Sequence, residues 1–206
     1  RRGNGGMSNQ TRFVIAGGYN DPDGARTNVI DFVTIASTGN AVDFGDTSQT
    51  VNNTGGTQSP TRGVLSNGGS PTGINTMEFI TIASTGNSED FGDSSRTSAE
   101  SMGCGNSTRG IFFHGVFPSP EVKQNVIDFI TIATKGNATN FGDNTYLVQH
   151  GMALSDSTRA VCAGGVTVNN MSYINITTAG DAVDFGDLSV ARWSGNGGIS
   201  NAHGGL

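Results

Sequence analysis

The chain lacks any long apolar run. No stretch approaches the roughly 20 residues needed to cross a bilayer as a helix, which excludes membrane insertion of that kind. Basic residues are scarce, 11 against 17 acids, and the formal net charge is -6. Such a chain is poorly equipped to grip a phosphate backbone, which excludes nucleic acid as the expected partner. Cysteine is nearly missing. Cys104 and Cys162 sit at unrelated places in the sequence, whereas a disulfide scaffold needs an even set at matched positions. They read as buried thiols acting as small apolar side chains. A sustained 3.6-residue apolar period is also absent, so almost no helix is expected. The opening "RRGNGGMSNQ" has no signal-peptide pattern.

Glycine, in contrast, is plentiful: 32 among 206 residues, far above its ordinary share. Most of these glycines fall at fixed places in a repeat, so they mark turns rather than disorder. The text "NVIDFVTIASTGNAVDFGD" from Asn28 returns from Asn75, from Asn125 and, more loosely, from Asn169. Thr-Arg pairs place Arg12, Arg62, Arg109 and Arg159 at spacings of 50, 47 and 50 residues. Phe-Gly-Asp triplets place Phe44, Phe91, Phe141 and Phe185 at 47, 50 and 44. A text written four times is architecture rather than a catalytic motif.

Each unit reads as four short strands, a to d. Strand a is Gly- and Ser-rich. Strand b follows Thr-Arg, as in "FVIAGG". Strand c, "VIDFVTIAS" and its copies, has the Val, Ile, Phe and Thr content of strands. Its faces, Ile30, Phe32, Thr34 and Ala36 on one side and Val29, Asp31, Val33 and Ile35 on the other, are both mostly apolar. The sheet is therefore expected to be covered on both sides. Strand d is "NAVDFGD" and its copies. The c–d link "STGN" suits a tight hairpin, with Gly39 and Asn40 free to take positive φ.

Units of this length, four-stranded and covered on both faces, predict an all-β fold, a β-propeller with four-stranded antiparallel blades. The units span approximately 1-49, 50-96, 97-146 and 147-190 of a single repeat domain, 1-206. Residues 191-206 hold a further copy of the first strand, "GNGGISNA" against "GNGGMSNQ". The duplicate either closes a ring by overlap or marks a segment of a longer array. The mid-repeat start favours the segment.

The Gly-Gly doublets Gly17-Gly18 and Gly164-Gly165 resemble the kelch repeat, although the usual kelch Tyr and Trp between strands c and d are absent. The combined text "TRFVIAGG … NVIDFVTIASTGNAVDFGD" is similar to a kelch-like repeat of virion and tail-fibre-like proteins of marine bacteriophages, especially those of cyanobacteria. That resemblance implies an exposed structural or receptor-binding role on a particle, at the virion surface or tail, with an extracellular site as the alternative. It carries no catalytic residue, no cofactor and no metal with it.

Several motifs invite chemical readings. Asp43-Phe44-Gly45 matches the kinase metal-binding triplet, but it recurs in the repeat without a phosphate or catalytic loop. "SEDFGDSS" from Ser88 resembles a sialidase Asp box, itself a structural element. The arginines Arg12, Arg62, Arg109 and Arg159 are locked to the repeat. They read as anchors of the a–b corners, placed against the carboxylates of Asp46, Asp93, Asp143 and Asp187. Asp31, Glu78 and Asp128 share one strand-c position, broken by Ser172. Structural hydrogen bonding is the expected role, and a cation-binding ring lining a channel the alternative. His114, His150 and His203 have no metal-ligand spacing. A Ser–His–Asp arrangement is a matter of geometry rather than sequence. The triplet "NST" at Asn106 is a glycosylation pattern expected by chance in such a composition.

Function belongs to what differs between units. The b–c loops differ: "YNDPDGART" from Tyr19, "GSPTGI" from Gly69, "VFPSPEVKQ" from Val116 and "VTV" from Val166. On one rim of a propeller the long loops would present Tyr19, Asp21, Asp23, Arg26, Phe117, Glu121 and Lys123. An aromatic beside polar groups suits a sugar. The expected function is a non-enzymatic structural and recognition module. Its expected partners are a host surface glycan or protein, or other virion proteins, with self-association through free blade edges. A propeller glycan hydrolase and an intracellular kelch-type scaffold are the alternatives.

Overall fold

The structure is a computed structural model that describes residues 1–21, 23–66, 68–69, 73–118 and 120–192. Among them there are strands and no helix. The first sheet holds β1 (Gly5–Ser8), β2 (Arg12–Ala16), β4 (Ala25–Thr34) and β5 (Val42–Val51), with a short β3 (Tyr19–Asn20) folded onto the start of β4. The second holds β6 (Gly55–Gln58), β7 (Arg62–Ser66), β8 (Ile74–Thr81) and β9 (Glu89–Ser98). The third holds β10 (Ser101–Gly105), β11 (Arg109–His114), β13 (Glu121–Thr131) and β14 (Thr139–Val148), and β12 (Val116–Pro118) folds onto β13. The fourth holds β15 (Met152–Ser155), β16 (Arg159–Ala163), β17 (Asn170–Asn175) and β18 (Val183–Asp187). Neighbours within each sheet are antiparallel. Four such four-stranded sheets side by side are compatible with a propeller-like fold. The fourth strands of the first three sheets run to Val51, Ser98 and Val148, two residues past the unit boundaries at 49, 96 and 146. The second copy of strand a, from Gly195, lies outside the described residues.

The first strands pack in succession, β1 on β6, β6 on β10 and β10 on β15. Their glycines explain the closeness. A Cβ on Gly56 would lie 2.4 Å from the Gly6 carbonyl oxygen, and one on Gly103 would lie 2.4 Å from that of Gly56. Any side chain there would push the strands apart.

The apolar core is divided among the joints between sheets. Met7, Ile30 and Phe44 of the first sheet meet Leu65, Ile80 and Ile82 of the second. Val64, Met77 and Phe91 meet Phe112, Ile130 and Ile132 of the third. Ile111, Ile127 and Phe141 meet Ala160, Ile174 and Ile176 of the fourth. Each such side chain contributes about 1.5–3 kcal/mol when fully buried. The second sheet is covered on both faces, as the sequence implies: Met77, Glu78, Phe79 and Ile80 of β8 are all buried. In β4 only Ile30 is buried, because no other described sheet lies on its far side.

Phe-Gly-Asp is a β-bulge. Ile30 pairs with Gly45 and Asp31 with Asp43, which leaves Phe44 as the extra residue. The same skip recurs at Phe91, Phe141 and Phe185. A bulge breaks the two-residue alternation and re-aims a side chain. Here it turns Phe44 into the joint, edge-on to Phe32 with ring centroids 5.9 Å apart.

The c–d link is not a tight hairpin. β4 ends at Thr34 and β5 starts at Val42. Of the Gly-Asn and Gly-Asp pairs, only Gly86, Gly136 and Gly180 take positive φ below 160°, and no Asn does. The reason is that the link belongs to the neighbouring sheet. Gly86 donates its N–H to the Phe44 carbonyl (2.7 Å) and Ser88 donates to the Asp46 carbonyl (2.9 Å). The Asp46 N–H in turn donates to Asn87 Oδ1 at 3.0 Å. Gly136, Ala138 and Asn137 repeat this on Phe91 and Asp93, and Gly180, Ala182 and Asp181 repeat it on Phe141 and Asp143. Gly45 is required by the same contact: its φ is 146°, and a Cβ would lie 2.4 Å from the Gly86 oxygen.

Candidate functional site

The repeat-locked groups are accounted for first. Each Thr-Arg follows a side-chain-capped turn. Asn9 Oδ1 accepts from the Thr11 N–H (2.9 Å), the Thr11 hydroxyl (3.0 Å) and the Arg12 N–H (2.8 Å). Asn106 and Asp156 do the same, and Ser59 Oγ takes the place in the second unit. These N–H groups, from Arg159 and then Thr158, hold the Asp156 carboxyl below its ordinary value. The Asn106 amide also donates to the Ser157 carbonyl at 3.0 Å, so the "NST" asparagine is part of the corner.

The arginines do anchor the assembly, but not through the expected carboxylates. Among the described residues no ion pair joins them to Asp46, Asp93, Asp143 or Asp187. Arg12 pairs across from Thr34, and Asp46 across from Val29. Five residues of strand separate the two sites, about 16 Å at the usual rise. Instead all four guanidiniums stack on their own strand c aromatic, and those of Arg12, Arg62 and Arg109 reach the next sheet. Arg12 lies 4.5 Å from the centre of Phe32 and donates to the Ile82 carbonyl at 2.9 Å. Arg62 uses Phe79 and the carbonyls of Ile132 and Ala133, and Arg109 uses Phe129 and Ile176.

The strand-c acids are joint braces too. Glu78 accepts from the backbone N–H of Ser48 at 3.2 Å and from its hydroxyl, across the first joint. Asp128 accepts from the Ser95 N–H (2.8 Å) and hydroxyl (2.6 Å), across the second. Burial pushes the Asp128 carboxyl up, but hydrogen bonding and charge from His114 Nε2, 2.9 Å away, together with the Ser95 bonds, hold it below its ordinary value. Where Ser172 replaces the acid, it donates to Asn144 Oδ1. Asp31, with no described sheet before it, pairs with Arg1. Glu78 and Asp128 are buried in these joints. The set Ser95–Asp128–His114 is also not a triad in order, because the serine bonds the carboxylate rather than the imidazole. No group of three or more His, Cys, Asp or Glu is placed to hold a metal ion among the described residues.

What remains is chemistry outside the repeat. A cavity of about 490 Å³ runs along the first strands of all four sheets, lined by Met7, Asn53, Ser101, Met102, Glu100 and His150 among others. His150 Nε2 lies 3.1 Å from Glu100 Oε1, and the His150 N–H donates to Glu100 Oε2 at 3.1 Å. Both lie on d–a links. Gly115, at the start of the third b–c finger, donates to the Glu100 carbonyl at 2.9 Å. The pair therefore stands at the same end of the sheets as the fingers. No protein-family model matches the chain, and no curated protein matches it.

The sequence did not single out Glu100. Asn53, Glu100 and His150 occupy one aligned position after strand d, and that change of residue type between units was the available signal.

The loop residues expected to recognise a ligand form two separate fingers. On the first, Tyr19 pairs with Arg26 across β3 and β4. Arg2 lies 5.0 Å over the Tyr19 ring and 3.0 Å from Asp21. Asp23 accepts from Asn20, and Arg26 donates to Asn52 at 2.7 Å. These groups largely satisfy one another. On the second finger Phe117 is 40% exposed and Val122 52%. Lys123 pairs with Val116, and Glu121 with Pro118, in the β12–β13 hairpin. No ion pair joins the two fingers among the described residues.

Proposed function

We propose that the four sheets are blades of a kelch-like β-propeller, and that the chain is a non-enzymatic structural and recognition module of a phage particle. It binds a host surface glycan or protein at the end that carries the b–c fingers. The observation that carries this reading is a division of labour. Repeat-locked residues are consumed in the joints, while exposed Phe117 and Val122 stand on the third unit's finger, in a loop whose sequence differs from unit to unit. Exposed apolar groups rimmed by polar ones mark interaction sites. An aromatic face with hydrogen-bonding neighbours fits the stacked rings and hydroxyls of a sugar.

The test is binding of the purified chain to cyanobacterial cells and to their isolated surface polysaccharide, with fragment release assayed in parallel. Phe117→Ala combined with Val122→Ser is expected to weaken binding at least about tenfold, a loss of about 1.4 kcal/mol. Undiminished binding removes the finger from the account. Release of glycan fragments moves the reading to a propeller hydrolase.

A further inference from the structure

We infer that the two end faces of the array are the two halves of its own internal joint, so that a second copy of this chain docks head to tail on the first. Three internal joints show what each half looks like when occupied. The incoming half brings a c–d link with a buried isoleucine, and Ile82, Ile132 and Ile176 are all fully buried. The receiving half brings a buried bulge phenylalanine and an arginine that reaches the isoleucine carbonyl.

Among the described residues, the first sheet ends in an incoming half with nothing to enter. Ile35, the fourth isoleucine of the set, is 56% exposed. The fourth sheet ends in a receiving half with no other described sheet seated on it. Phe185 is 47% exposed, against 2–3% for Phe44, Phe91 and Phe141. Arg159 stacks 4.4 Å from the centre of Tyr173 like its counterparts, yet it is exposed where Arg12, Arg62 and Arg109 are half-buried. At Gly186 the nearest neighbour of an added Cβ is Met171 at 4.0 Å, whereas a Cβ on Gly45, Gly92 or Gly142 would meet the next sheet's backbone at 2.4–2.5 Å. Both faces are open among the described residues of the same molecule.

Residue identity favours this pairing over a generic sheet. Where a joint uses an acid, Glu78 or Asp128, the preceding strand d supplies Ser48 or Ser95 two residues after Phe-Gly-Asp. Where the acid is replaced by Ser172, that place is Thr145 and Asn144 supplies the acceptor. Ser189, just past the last strand d, stands at this place, which matches an acid, and the first sheet offers Asp31, whose present partner is Arg1. Asn40 likewise stands where Asn87 and Asn137 accept from the receiving aspartate N–H. A head-to-tail contact of this kind is heterologous: it grows until the rotation closes a ring, or continues as a filament.

Analytical ultracentrifugation with two variants tests this. Ile35→Asp spoils only the head, and Phe185→Asp only the tail. Both lie at open positions, and circular dichroism verifies the fold of each. The parent chain is expected to sediment as concentration-dependent oligomers, and each variant alone as a monomer. An equimolar mixture of the two should give a species of twice the monomer mass that grows no further, since it holds one sound joint. A parent chain that stays monomeric into the hundreds of micromolar overturns the inference, as does a mixture that stays monomeric. Variants that oligomerise alone place the contact elsewhere and overturn it equally.

Discussion

At Asp128, burial and bonding oppose each other, and bonding wins. Its carboxyl is held below the ordinary value by His114 and Ser95 despite full burial. A carboxylate with a lowered folded value contributes stability that is complete above the unfolded value, about 4, and is lost as pH falls through the folded one. Urea unfolding between pH 7 and pH 2 is expected to show this loss, and Asp128→Asn to flatten it. At pH 7 that substitution should cost about 3 kcal/mol, since it strips a buried, bonded imidazole of its partner. An unchanged midpoint at pH 7 would remove the brace from the account. The cysteines act otherwise. Burial pushes the Cys162 thiol up to about 12 and raises Cys104 further. A thiol-specific colour reagent should label neither in the folded chain and both in denaturant; rapid labelling of the folded chain would contradict the packing. The sequence showed that Asp31, Glu78 and Asp128 share a place and a structural role. It did not show their partners, because Ser48 and Ser95 lie on another unit and bonding across a joint leaves no spacing signal.

The bulge at Phe-Gly-Asp is the element on which the joints turn. Gly92 and Gly186 share positive φ, at 138° and 126°, but only Gly92 faces a neighbour's backbone. Alanine at either site suffers the same backbone strain. The difference between them therefore isolates the joint. Gly92→Ala is expected to destabilise the chain by about 2 kcal/mol more than Gly186→Ala in dilute solution, a typical cost of overpacking. Equal costs would mean that the close approach is not required. Arg62→Lys should lose most of what Arg62→Ala loses, about 1–2 kcal/mol in thermal or urea unfolding. An ammonium neither stacks as a plane nor forks between the carbonyls of Ile132 and Ala133; full rescue by lysine would contradict this. Strands c and d were plain in the sequence from their β-branched and aromatic content. The tight hairpin between them was misread for a physical reason. Gly and Asn in "STGN" have turn chemistry in isolation, and here that chemistry is spent on the preceding sheet.

Across the molecule, burial is graded from the ends inward. β8 is closed on both faces, whereas β4 and β17 each face the open side of an end sheet. Stability in a stack is a sum of units and nearest-neighbour joints. Amide hydrogen exchange should therefore be slowest in β8 and β13, and faster in β4 and β17 by at least about tenfold. Uniform protection would mean that the stack behaves as one indivisible core. Four sheets in chain order were legible from the repeat. The cavity and its Glu100–His150 mouth were not, since neither residue is close to the other in sequence and no motif spans a d–a link.

The joints are made of repeated parts: turn N–H groups on the carbonyls of a bulge, an isoleucine in the core and an arginine over an aromatic. A joint made of repeated parts is almost blind to the side chains outside it. A gene encoding such a protein can gain, lose or exchange whole units by recombination between its own similar stretches, and the product still assembles. The finger loops, lying outside the joint, are free to change by drift or import without disturbing the stack. The same chemistry that makes the units monotonous leaves their loops open to rapid diversification.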